Sequence, residues 1–154
     1  MLKIYNLKDK VEYIREIAEL TQKEWGEKTN TNEEFEEKVN KKIYKMINSF
    51  DNPYYCKLIL LHNKNLVGFI SIFEHDCDER KDLSPWYATM YVKEEYRNKG
   101  YSKMLNDAIL KEAKRRRIKR LYLKTELKNY YEKFGAKFLE NLNDNEKILY
   151  FETY

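Results

Sequence analysis

Between Trp86 and Ala113 the hydrophobic period changes once, and that change constrains the fold more than any other feature of the chain. Trp86 to Val92 is an apolar run of strand length, whereas Tyr101, Met104, Leu105, Ala108, Ile109, Glu112 and Ala113 recur at the steps of a helix with one buried stripe. The residues between them, Lys93-Glu94-Glu95-Tyr96-Arg97-Asn98-Lys99-Gly100, are polar and compact. The chain therefore leaves a strand, turns sharply and starts a helix, and such a unit has to pack helices against a sheet.

The remaining segments read in the same terms. Leu2 to Tyr5 alternates with a period of two and predicts a short strand. Val11, Ile14, Ile17, Ala18, Leu20 and Trp25 predict an amphipathic helix that stops near Gly26. Thr31 and Glu34 fit a capping box ahead of a second helix marked by Phe35, Val39, Ile43, Met46 and Ile47. Asp51-Asn52-Pro53 ends that pattern, because proline fixes its own φ and disfavours helix before it. Tyr54 to Leu61 and Leu66 to Phe73 predict an antiparallel hairpin joined by His62-Asn63-Lys64-Asn65, followed by a charged loop over 74–85. Leu121 to Leu123 begins another strand, and a short helix is expected over Leu127 to Phe134, with Gly135 as its left-handed stop. Phe138 and Ile148 to Phe151 predict a closing hairpin around Asn141–Asn145. The sum is an α/β (α+β) class, a mixed sheet with helices on its faces.

The length of 154 residues suits one domain spanning 1–154, and no repeat or linker divides it. Lys and Arg exceed Asp and Glu by 30 to 26, a net charge of +4, which is smaller than nucleic-acid binders usually show. Cys56 and Cys77 form no C-x-x-C pair and have no histidine pairs nearby, so neither a disulfide framework nor a metal site is expected. No apolar run has the length of a membrane span, and Met1 to Lys10 lacks the apolar stretch of a signal peptide, so a cytoplasmic location is expected. The basic run Lys114 to Arg120 is expected to be a solvated helix end that complements the helix dipole, with RNA binding as its alternative.

A strand-loop-helix of this kind is suited to an anion, since a helix amino terminus offers unpaired amides and a positive dipole end. Gly100 lets backbone approach a ligand, Ser102 offers a small hydroxyl, and Arg97 and Lys99 supply charge, although a solvated turn has the same composition. Arg97-x-x-Gly100-x-Ser102, the run Pro85 to Val92 before it, and the later Leu121 to Thr125 and Tyr130-Tyr131-Glu132-Lys133-Phe134-Gly135 together resemble the GNAT superfamily of N-acetyltransferases. Asn98 stands where many members carry glycine, Ser102 is bulkier than usual, and Ala136 replaces a frequent aromatic.

The resemblance implies a mostly antiparallel sheet with a splayed parallel strand pair, and acetyl transfer from acetyl-CoA to an amine of a small molecule or peptide. It implies cofactor contacts from Met90, Tyr91, Val92, Arg97, Asn98, Lys99, Gly100, Tyr101, Ser102 and Thr125, and a proton donor at Tyr131. A base is also required, and Glu74 is the candidate, with His75 and Asp76 as competitors. Alternatives are an acetyl-CoA-binding regulator without turnover and an acetyltransferase directed at charged tRNA. Acids at 33–37 and 76–82 would favour a cationic acceptor or simply face solvent. A monomer or homodimer is expected, Ile148 to Phe151 being a strand that could pair across a dimer.

Overall fold

The hairpin at the middle of the chain organises the sheet. In the computed structural model, which describes residues 1–154, β2 (Cys56–His62) and β3 (Asn65–Phe73) pair antiparallel. Their turn is tighter than the sequence suggests, because Asn63 takes a left-handed φ of 57° and lets Asn65 join the ladder. β1 (Leu2–Asn6) extends the sheet beside β2, and β4 (Trp86–Val92) extends it beside β3, both antiparallel.

Beyond β4 the connection must cross over, and α3 (Tyr101–Arg115) supplies that crossover into β5 (Arg120–Thr125), which runs parallel to β4. The closing hairpin comprises β6 (Lys137–Asn141) and β7 (Lys147–Glu152). The last strand inserts next to β5, giving the order β1-β2-β3-β4-β5-β7-β6. β7 is thus hydrogen-bonded on both edges and is not free to pair across a dimer, because β5 and β6 already occupy it. The exposed edges belong to β1 and β6.

Helices cover both faces because β2 and β3 are apolar on both sides. Leu58, Leu60, Val67, Ile70 and Ile72 pack with Leu105, Ile109 and Ala113 of α3. Ile59, Leu61, Leu66 and Phe69 pack on the other face with Ile17 and Ala18 of α1 (Ile14–Trp25) and Val39 and Met46 of α2 (Asn32–Ser49). The architecture is the expected mixed, mostly antiparallel sheet with one parallel pair.

Local departures have local causes. The first helix begins later than its apolar pattern, since 3₁₀ turns at Leu7–Asp9 and Val11–Tyr13 precede it. At α2 the Thr31 hydroxyl accepts from the Glu34 amide at 3.1 Å, as a capping box requires. The Glu34 carboxylate reaches one residue further back than that motif specifies and accepts from Asn30 N at 2.9 Å. Only Glu132–Phe134 forms a 3₁₀ turn where a helix is expected over Leu127 to Phe134, because Asn129 adopts a left-handed φ of 58° that interrupts any longer helix. Gly135 closes that turn at φ 103°, as predicted.

Candidate active site

A bulge in β4 shapes the site. Ser71 faces Ala88, yet Phe69 faces Tyr91, so β4 carries one more residue than β3 over this interval. The extra residue turns the chain at Thr89, whose φ of 48° is rare for a β-branched side chain. A 2.6 Å hydrogen bond between the Ser71 and Thr89 hydroxyls holds it. On the other edge, β4 pairs with β5 only at Trp86 and Tyr122. The two strands then part, and a cleft of about 590 Å³ opens, lined by Met90, Tyr91 and Val92 on one side and Leu127, Tyr130 and Tyr131 on another.

The loop after β4 forms the end of this cleft. Arg97 donates from Nε to the Val92 carbonyl at 2.8 Å and lies 5.6 Å from the Tyr91 ring centroid, so its guanidinium first braces its own loop. Asn98 and Gly100 then take left-handed φ values of 63° and 83°, and α3 starts at once. None of the backbone amides from Asn98 to Lys103 donates a hydrogen bond within the protein, and α3 has no side-chain cap. The first turn of α3 carries no acid either, so nothing internal neutralises the positive end of the dipole. A β-carbon built on Gly100 meets no atom within 4 Å, so the space beside these amides is open.

Tyr131 stands across the cleft from the loop. Its ring packs edge-on against Tyr130 at 4.9 Å and against Tyr87 at 5.7 Å. Tyr87 is in turn fixed by a 2.7 Å hydrogen bond from its hydroxyl to Asn106 Oδ1 inside α3. Burial pushes the Tyr131 phenol up to about 12, with the neighbouring Tyr130 adding to the effect, so it remains a proton donor throughout the physiological range.

The structure therefore gathers Met90, Tyr91, Val92, Arg97, Asn98, Gly100, Tyr101, Ser102 and Tyr131 around one cleft. It does not bring Lys99 or Thr125 to the cleft wall. Lys99 is exposed beside Tyr96, and the buried Thr125 hydroxyl accepts from Leu127 N at 3.0 Å.

Glu74 lies elsewhere, in a second cavity of about 390 Å³ roofed by α1 and α2. Its Oε1 accepts from Asn52 Nδ2 at 3.0 Å, and Thr89 lines the same cavity, so the bulge stands between the two spaces. His75 also lines the cavity, while Asp76 is held up at about 6 mainly by burial. The sequence offered no reason to single out Tyr87 or Asn106. Lys57 alone left a trace there, as the one charged residue inside the apolar run of β2.

The acids of 33–37 and 76–82 line neither space. Glu36 pairs with Arg15 at 2.9 Å, Glu37 with Lys41, and Asp82 with Arg80. The basic run ends α3 as expected. Arg115 and Arg116 pair with Glu112, Arg116 also donates to the Tyr55 carbonyl at 2.9 Å, and Arg120 pairs with Glu152. No group of three or more His, Cys, Asp or Glu gathers anywhere, both cysteines are free and buried, and no helix is long and apolar enough to cross a membrane.

The family profile described as acetyltransferase (GNAT) family matches residues 14–136. Among curated proteins none matches the chain in sequence. Solved structures with the same fold include the PaiA N-acetyltransferase of Thermoplasma acidophilum in complex with coenzyme A, at 20% identity, TM-score 0.61 and 99% coverage of both chains. The yncA protein of Salmonella typhimurium, solved with acetyl-CoA, is similar at 13% identity and TM-score 0.71, covering 99% of this chain and 94% of its own. An N-acetyltransferase of Staphylococcus aureus Mu50 is similar at 14% identity and TM-score 0.71, over 100% and 99% of the two chains.

Proposed function

The chain belongs to the acetyltransferase (GNAT) family, and from that premise we propose that it moves the acetyl group of acetyl-CoA to a primary amine of a small molecule or peptide by direct attack on the thioester. The observation that carries the reading is the row of unpartnered amides from Asn98 to Lys103 at the positive end of α3. A pyrophosphate supplies two charged acceptor groups for such a row, and the open space beside Gly100 fits it. Relatives solved with coenzyme A or acetyl-CoA support the same assignment.

Each residue then has a defined task. The backbone of Met90 to Val92, unpaired on the side facing β5, receives the pantetheine arm in the manner of an added strand. An amide at the bulge stabilises the negative charge that develops on the thioester oxygen as nitrogen attacks. Nitrogen forms a bond to the acyl carbon, the carbon–sulfur bond breaks, and Tyr131 passes its phenolic proton to the departing sulfur. Glu74, beyond the bulge, takes the proton that the acceptor ammonium must lose. A Glu74→Gln variant whose pH-rate profile is unmoved would assign that proton to another group.

Release of free coenzyme A thiol on adding amines, against a control without acceptor, tests the activity. Acetyl-CoA binding with no thiol release from any amine would identify a binding protein, and no binding would overturn the reading.

A further inference from the structure

The second cavity carries a charge pattern that the acetyl-transfer reading leaves unexplained. Lys42 and Lys45 of α2 and Lys57 of β2 line it, and none of them forms an ion pair. Lys57 is 3% exposed, and its side chain enters no ion pair. Its ammonium lies near the Phe69 and Phe73 rings, at 5.1 and 5.5 Å from their centroids. The cavity has one carboxylate, Glu74, and that group is engaged by Asn52.

Burying a lysine among aromatic rings without a counter-ion is costly, and two more lysines lining the same cavity add repulsion. Burial lowers Lys57 to about 7, and Lys42 is lowered by burial and then by Lys45 and Lys38. An anionic group in the cavity would relieve both effects. Glu74 stands apart from the lysines in charge, and Thr89 of the cavity wall is followed in β4 by Met90 of the cleft wall, so the two spaces meet at the bulge. A ligand with an ammonium near Glu74 and an anion near Lys57 matches this division.

We propose that the cavity formed by α2, β2 and the β4 bulge is the acceptor site, and that it takes a small primary amine carrying a carboxylate or phosphate, with Lys57 as the central anion contact. The cavity volume of about 390 Å³ suits a molecule of amino-acid size. This inference rests on the acetyl-transfer reading for the identity of the cleft, and it deepens that reading by naming the acceptor class. It also replaces the expectation of a cationic acceptor, because the acids of 33–37 and 76–82 do not line the cavity.

Thiol release is measured with glycine, alanine, serine and phenylalanine, each against its carboxamide, together with aminomethylphosphonate and ethylenediamine. In parallel, calorimetry follows binding of the same acids and of the phosphonate to the protein with and without coenzyme A. At least one acid or the phosphonate should exceed its uncharged or cationic counterpart by roughly tenfold or more in kcat/KM, as expected for a charge-assisted contact. Comparing carboxylate with phosphonate distinguishes the two anion sources. Lys57→Met should abolish the preference, mainly through KM, while coenzyme A affinity holds; Lys45→Ala, at an exposed position, should weaken it in the same direction.

Equal rates within each pair, preference for ethylenediamine, or an intact preference in Lys57→Met overturns the inference while leaving acetyl transfer standing. Failure of coenzyme A to bind overturns acetyl transfer instead. In that case binding of the acids, and its loss in Lys57→Met, still decides the charge of the site, and absence of any such binding refutes it.

Discussion

Gly100→Ala separates the two roles assigned to the loop before α3. At φ 83° an L-residue is strained by about 1–2 kcal/mol relative to glycine. The new β-carbon meets no protein atom within 4 Å, so no steric cost inside the fold is added. For a domain of this size each kcal/mol lowers Tm by about 2–4 °C, and the loss from strain alone is therefore modest. Binding responds differently, because the methyl group enters the space beside the amides of Gly100 and Tyr101. Losing one amide-to-phosphate hydrogen bond costs about 1.5–3 kcal/mol, or about 10- to 150-fold in Kd for coenzyme A. Gly135→Ala is the matched control: its φ is 103°, its β-carbon also meets nothing, and it lies outside the cleft wall. Both variants should lose similar thermal stability, and calorimetry should find weakened coenzyme A binding only in Gly100→Ala. If Gly100→Ala melts earlier yet binds coenzyme A as the parent does, the amides do not hold the nucleotide.

Further predictions concern the donor, the buried lysine and the sheet. Tyr131→Phe should lower kcat by about 10- to 1000-fold with coenzyme A affinity retained, and an unchanged kcat removes the assignment. Since burial holds the Tyr131 phenol near 12, the parent should show no loss of kcat from this group between pH 7 and pH 10; a basic limb there that disappears in Tyr131→Phe would contradict it. Lys57 gives up its proton near 7 when folded, against about 10.4 unfolded, so the folded state binds fewer protons between these values and stability rises with pH across that window. Lys57→Met should therefore stabilise the fold at pH 7, by on the order of a few kcal/mol at most, and so raise Tm, and the gain should shrink towards pH 10; a gain that does not change with pH refutes the cause. Gly68→Ala should destabilise severely in urea titrations, because its β-carbon would lie 2.3 Å from the Tyr91 carbonyl oxygen, and a neutral result would mean that β3 and β4 separate freely.

The sequence made the strand-loop-helix from β4 to α3 legible because its signal is local: a strand period, a short polar turn with glycine and a helix period occupy adjacent residues. The segment 127–134 shows where such reasoning stops. Leu127, Tyr130, Tyr131 and Phe134 are spaced as one helix face, and they do share a surface, the cleft. Hydrophobic spacing reports that shared surface and says nothing of backbone hydrogen bonds, which Asn129 prevents from becoming a helix. The order of the closing strands was hidden for a related reason, since neither β6 nor β7 carries a local mark of which one meets β5. The bulge was equally silent, Thr89 being an unremarkable β-branched residue within an apolar run.

The acceptor side was the least legible part of the site. Lys42, Lys45, Met46 and Ser49 lie at helical steps and visibly share a face of α2, yet only the fold sets Lys57 and Glu74 opposite them. Nearby acids such as Glu33 and Glu36 drew attention in the sequence through number alone, and they face solvent.

Amide hydrogen exchange across residues 98–103, with and without acetyl-CoA, tests the central claim most directly. These amides donate no hydrogen bond within the protein and should exchange rapidly in its absence, then become protected when acetyl-CoA saturates the site. Rapid exchange that persists in the saturated protein would contradict the account, because the nucleotide would then be held somewhere else.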